Sequence, residues 1–144
     1  MIDAQAPIKP RIGHIALIGN ALPRRCGLAT FTSDTANAVR CAFPDITLDH
    51  YAMDDGTGIA YAADVHAIPM HARAAYGEAG RAIGRSGADM LWIQHEYGIY
   101  GGAAGDYLLD LIDAVSIPIV TTLHTLLENP SADERRVLNR LIAR

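Results

Sequence analysis

Apolar residues in this chain fall in short saturated runs separated by longer amphipathic stretches. Ile12 to Ile18 is the first run, and it ends on the polar pair Gly19-Asn20. Ile46 to Met53 alternates, Val65 to Met70 is short, Asp89 to Gln94 encloses Met90-Leu91-Trp92-Ile93, and Ile117 to Leu123 is nearly continuous. Such runs, bounded by turn residues, read as strands. Near-continuous ones are expected in a parallel sheet covered on both faces. Between them lie helical patterns. Thr30, Thr32 or Ser33 is placed to cap a helix running to about Cys41, before Pro44. Residues 72–86 suggest an Ala/Gly-rich helix whose small side chains allow close packing on a sheet. Gly77, Gly80 and Gly84 each weaken its helix propensity by about 1 kcal/mol. Tyr107, Leu108, Leu111, Ile112 and Val115 form one stripe, with Asp106, Asp110 and Asp113 on the wet side. Ser131 and Glu134 have capping-box spacing before the stripe Val137, Leu138, Leu141 and Ile142. The alternation predicts an α/β fold: a Rossmann-like three-layer sandwich with a mainly parallel sheet over residues 12–144, behind a loose leader at 1–11.

That fold says where to look for chemistry, because open α/β sheets bind ligands at the carboxyl ends of their strands. The fourth run leads into Gln94-His95-Glu96-Tyr97-Gly98-Ile99-Tyr100-Gly101-Gly102. His95 and Glu96 are candidates to bond sugar hydroxyls, and Gly101 and Gly102 to offer bare amides before a helix. The fifth run ends on Thr121-Thr122-Leu123-His124-Thr125. The first leads to Pro23-Arg24-Arg25-Cys26-Gly27. There Gly27 would admit a phosphate or sugar close to the backbone at a helix N-terminus, and Arg24 and Arg25 would add charge-assisted bonds. Each motif also has a plain structural reading. The first loop reads equally as a turn with solvated arginines, His95 and Glu96 as caps of neighbouring backbone groups, and His124 as a satisfied core-edge histidine.

Composition narrows the field. A length of 144 residues suits one domain, and half the residues are hydrophobic. The net charge of −4 offers no basic field for nucleic acid. No apolar run approaches the roughly 18 residues that span a bilayer, and Pro7, Lys9, Pro10 and Arg11 interrupt any signal-peptide core. Cys26 and Cys41 form no disulfide or metal framework and read as small packing groups, so a reducing, cytoplasmic setting without a metal is the expectation. The first loop lacks a GxGxxG fingerprint and a P-loop lysine, which disfavours ordinary NAD or ATP binding.

The segments Pro23 to Phe31, Gln94 to Gly102 and Thr121 to Thr125 occur in the order seen in bacterial glycosyltransferases of family 4, and the chain resembles them over about residues 12–143. Those are retaining enzymes of GT-B architecture, with two Rossmann-like domains facing a cleft. The resemblance implies the N-terminal, acceptor-side half, with a nucleotide sugar as donor and a carbohydrate or lipid-linked acceptor, and with no resident cofactor. It implies that the Gly27 loop approaches the donor diphosphate, that His95 and His124 line the cleft, and that His124 lies nearer the transferred sugar as the catalytic candidate. One departure is Cys26-Gly27, where many members have paired glycines. Another is that nothing here matches the family's C-terminal nucleotide-binding domain with its paired glutamates. The domain therefore reads as truncated and as inactive alone. The competing expectation is a stand-alone α/β binding module that self-associates, for instance as a homodimer. Whether the parent gene continues past Arg144 into a second Rossmann-like domain separates the two.

Overall fold

The computed structural model describes residues 12–144; the leader expected at 1–11 lies outside the described residues. The elements run β1 (His14–Gly19), α1 (Gly27–Ala42), β2 (Thr47–Asp54), β3 (Val65–Pro69), α2 (Arg73–Arg85), β4 (Met90–His95), α3 (Tyr107–Asp113), β5 (Ile119–Leu123) and α4 (Ala132–Ile142). The five strands form one sheet in the order β3-β2-β1-β4-β5, and every pairing is parallel. This is the α/β sandwich that the alternation of runs and stripes predicts.

Alternate residues of each strand face opposite layers. Ala16, Ile18, Tyr51, Met53, Leu91 and Ile93 pack with Tyr76 and Ile83 of α2, Leu108, Leu111 and Ile112 of α3, and Val137 and Leu141 of α4 in the main core. Leu17 and Leu48 point the other way and meet Ala36 and Val39 of α1, with Trp92 beside them. The stripe on α3 is therefore largely a buried face, and on α4 Val137 and Leu141 are buried, whereas Ile142, placed in the same stripe by its spacing, is exposed. The wet acids of α3 and its approach pair with arginines: Asp106 and Asp113 with Arg136 and Arg140 of α4, and Asp110 with Arg73 of α2. Ser131 and Glu134 form both bonds of the capping box.

Three details differ from the sequence expectation. α1 begins at Gly27, and its cap is Cys26, whose Sγ accepts from Ala29 N–H at 3.3 Å. Thr32 donates to Leu28 O within the helix instead, and Ser33 Oγ accepts from Leu22 N–H. A thiol is a weak acceptor, so a search for oxygen caps passes over it. The small residues of α2 serve helix–helix approach more than packing on the sheet. A Cβ on Gly80 would meet Leu111 O of α3 at 2.5 Å. Finally, β5 is an edge strand, and Val120 is 47% exposed. α1 covers β1 and β2 on that face, and no residue of β5 is fully buried, so an apolar run predicted to be buried on both sides is only partly covered. Pro118, which has no N–H, stands before the β5 ladder and contributes its carbonyl to Leu91 N–H.

Candidate functional site

The chain lays β2 and β3 on one side of β1, then crosses to place β4 and β5 on the other. The strand order reverses between β1 and β4, and their carboxyl ends border the crevice where such folds take ligands. Since every strand is parallel, the Gly27 loop, the His95-Glu96 loop and His124 all follow carboxyl ends on one edge.

At the end of β1, Asn20 is buried, and its Nδ2 donates to Cys26 Sγ at 3.4 Å. The same sulfur caps α1. Gly27 is exposed and nothing stands within 4 Å of where its Cβ would lie. The N–H groups of Gly27 and Leu28 donate to nothing among the described residues, so they open the positive end of a 16-residue helix. Arg24 is less available than its position suggests. Its guanidinium donates to Met53 O at 3.3 Å and pairs with Asp55 at 3.2 Å, tying the loop to the carboxyl end of β2. Hydrogen bonds from Thr57, then the Arg24 charge, hold the Asp55 carboxyl below its ordinary range. Arg25 is exposed and makes no ion pair among the described residues.

The β4 loop is more inward than its sequence implies. His95 is 0% exposed, set edge-on to Tyr97 at 4.9 Å and stacked on Tyr100 at 6.1 Å. Burial pushes its pKa down to about 4, with the His124 charge lowering it further and Glu96 opposing, so the ring is neutral at pH 7. Neither ring nitrogen has a partner. His95 thus lies beneath the edge and does not face the crevice. Glu96 accepts from Tyr97 N–H at 3.0 Å and from the Thr125 hydroxyl, joining the β4 and β5 loops as a cap and cross-link. Gly101 has no bare amide: its N–H donates to Tyr76 Oη at 2.8 Å, and a Cβ there would strike Met70 O. Gly102 has φ +85° and crowds Asp106 and Tyr107. Both glycines are demanded by the turn, two short 3-10 turns at Tyr97–Ile99 and Ala103–Gly105 that fold back over His95. Of these loop groups, Glu96 and the Gly101 amide bond within the protein, His95 is sealed, and the Gly102 N–H donates to nothing among the described residues.

His124 stays at the edge, half-buried. Its backbone N–H donates to His95 O at 3.0 Å, its Nε2 meets Gln94 Oε1 at 2.7 Å, and the Phe31 ring stands edge-on at 4.9 Å. Gln94 and Asn20 are buried here, and a search for exposed catalytic types passes over both. A buried polar group in an apolar strand is the signal that marks them. Leu22, Phe31, Leu126 and Leu127 are exposed around this edge. The shelf is open: the best-formed concavities, such as one of about 280 Å³ between β3 and α2, are lined by none of His95, Glu96 or His124. Among the described residues no three His, Cys, Asp or Glu side chains converge to hold a metal, and no helix is long and apolar enough to cross a membrane. No family model, curated protein or solved structure matches the chain.

Proposed function

We propose that this chain is the acceptor-side domain of a retaining glycosyltransferase, which moves a sugar from a nucleotide sugar to a carbohydrate or lipid-linked acceptor. The observation that carries this reading is the shared edge. Two helix N–H groups at Gly27 and Leu28 and an Arg25, all without partners among the described residues, and an edge histidine, His124, all follow carboxyl ends of one parallel sheet. Helix N–H groups suit a diphosphate oxygen. An imidazole with a free ring nitrogen suits a sugar hydroxyl. Apolar Phe31 and Leu126 beside them suit a sugar ring face or an apolar acceptor tail. Transfer then depends on positioning the two substrates and on stabilising an oxocarbenium-like transition state and a departing diphosphate.

In this reading Gly27 contacts the donor phosphates and His124 the transferred sugar. His95, Glu96, Gly101 and Gly102 hold the loop that supports them. Arg24 contributes only if it leaves Asp55. The nucleotide pocket belongs to a second domain. The test is an amide NMR titration of the chain with a panel of nucleotide sugars and disaccharides. Shifts are expected to cluster at Gly27–Leu28 and Leu123–Leu127. Binding confined to the β3–α2 concavity, or no shift at millimolar ligand, would count against the proposal.

A further inference from the structure

Side chains of β4 that face the α1 layer reach forward onto β5. Trp92 lies beside Val120 in the ladder, yet its Nε1–H donates to Thr122 Oγ1 at 2.9 Å. Gln94 lies beside Thr122, yet its Oε1 meets His124 Nε2 at 2.7 Å. Each bond runs two residues toward the carboxyl edge, and the row ends on His124. Gln94 is fully buried and tightly held. A Cβ on Gly19 of β1 would come within 3.0 Å of Gln94 Cβ and 3.1 Å of Thr32 Oγ1 of α1. Its Cβ and Cγ therefore lie tight against Gly19 of β1, and its amide oxygen is bonded at the end of β5. The Gln94 Nε2 is buried and has no partner among the described residues. A buried donor without an acceptor is costly, so an amide used on only one side calls for a reason.

We propose that Gln94 is a positioning residue, whose buried carbonyl oxygen holds His124 in the Nε2–H form and leaves Nδ1 bare as an acceptor for a ligand hydroxyl. The Phe31 edge packs on the same ring, and the backbone bond to His95 O anchors the residue that carries it. Nδ1 is neither hydrogen-bonded nor among the sealed polar atoms. The neighbouring carboxylate, Glu96, is engaged by Thr125 and Tyr97 N–H and does not compete for the ring. A bare nitrogen lone pair accepts from a hydroxyl and repels a phosphate oxygen. The device would thus sort the sugar from the diphosphate on a shelf that must take both. The sugar identity rests on the glycosyl-transfer reading; the tautomer does not.

Long-range proton–nitrogen NMR of the histidine rings, on the 144-residue chain at pH 8, tests it. The His124 ring is expected to show a protonated Nε2 protected from exchange with water and an unprotonated Nδ1. In Gln94→Leu that protected proton is lost. In the isosteric Gln94→Glu, which decides if the leucine variant does not fold, the added carboxylate should keep both ring protons on to a pH about 1 unit higher or more. A dominant Nδ1–H form in the wild type, or ring signals unchanged in either variant, would overturn the proposal. Adding nucleotide sugars or disaccharides separates the two readings. A moving Nδ1 resonance supports both. A held tautomer whose Nδ1 ignores every sugar leaves Gln94 as the positioning residue and removes the glycosyl-transfer assignment.

Discussion

Lowering the pH from 7 to 5 should cost this fold a large part of its stability, because two histidines are buried as neutral rings. His95 lies beneath the β4 loop. His50 lies under α1, with Nε2 unpartnered. Burial lowers both from an ordinary 6.5 to about 4, and for His50 the nearby Arg40 charge adds to it. A folded value below the unfolded one means that the unfolded chain binds the extra protons. Stability is then whole above pH 6.5 and drains as pH falls toward 4. In that window each ring removes up to about 1.4 kcal/mol per pH unit, so the loss by pH 5 is about 2 kcal/mol each, or about 4 kcal/mol together. That compares with a total of about 5–15 kcal/mol for an ordinary domain. Carboxylates held low by hydrogen bonds, such as Asp89 by Gly13 and His14 N–H, lose their contribution only at more acid pH and do not blur the signal. Urea unfolding at pH 8, 7, 6 and 5 reads it directly. His95→Phe, which keeps a ring against Tyr100, should halve the slope. A midpoint that stays flat between pH 7 and 5 would refute the idea that these rings remain buried and neutral.

Gly101→Ala should cost about 1–3 kcal/mol in the same urea experiment, since its Cβ must displace Met70 O or the Tyr107 ring; a neutral effect would mean the β4 loop is not packed on β3 as described. Cys26→Ala should lower stability by about 1 kcal/mol, whereas Cys26→Ser should restore or exceed the wild type, because a hydroxyl caps better than a thiol. The isolated chain is expected to show no sugar transfer or nucleotide-sugar hydrolysis. In a parent carrying the second domain, His124→Ala should lower transfer by about 10²-fold or more without unfolding it. Robust turnover by the 144 residues alone would overturn the half-enzyme reading.

Central strands were legible because burial on both faces saturates them: Ile15 to Ile18 and Leu91 to Ile93 leave no alternative reading. Coverage of β5 was not legible, because its apolar run carries no mark of strand order, and position at the edge is a property of the whole sheet. The site was legible in place more than in detail. Strand ends located Gly27, His95 and His124, since the carboxyl edge follows from parallel pairing alone. Which of them turn outward depends on how the loops fold back. Tyr97 and Tyr100 close over His95 through a 3-10 turn whose burial no periodicity announces. Gln94 was hidden for a different reason: its partner, His124, lies beyond the end of the neighbouring strand, and that pairing exists only once β4 and β5 are side by side.

Groups left uncommitted at the edge set what the domain can do by itself. Glu96 is spent on Thr125 and Tyr97, Arg24 on Asp55 and Met53, and the Gly101 amide on Tyr76. Among the described residues the groups left include two helix N–H groups, the exposed Gly102 N–H, Arg25 and one histidine nitrogen. In the proposed reading those would orient a sugar and touch a phosphate. They are too few to stabilise a departing nucleoside diphosphate, whose developing charge calls for several preorganised donors in a site closed to water. An open shelf also exposes every one of these bonds to solvent, where a hydrogen bond contributes least. The apolar residues around the shelf, Leu22, Phe31, Leu126 and Leu127, sit where an opposing surface would exclude that water. If the proposed glycosyl transfer takes place on this edge, it therefore needs a second wall for electrostatics as much as for nucleotide binding, and this domain alone would select a substrate without transforming it.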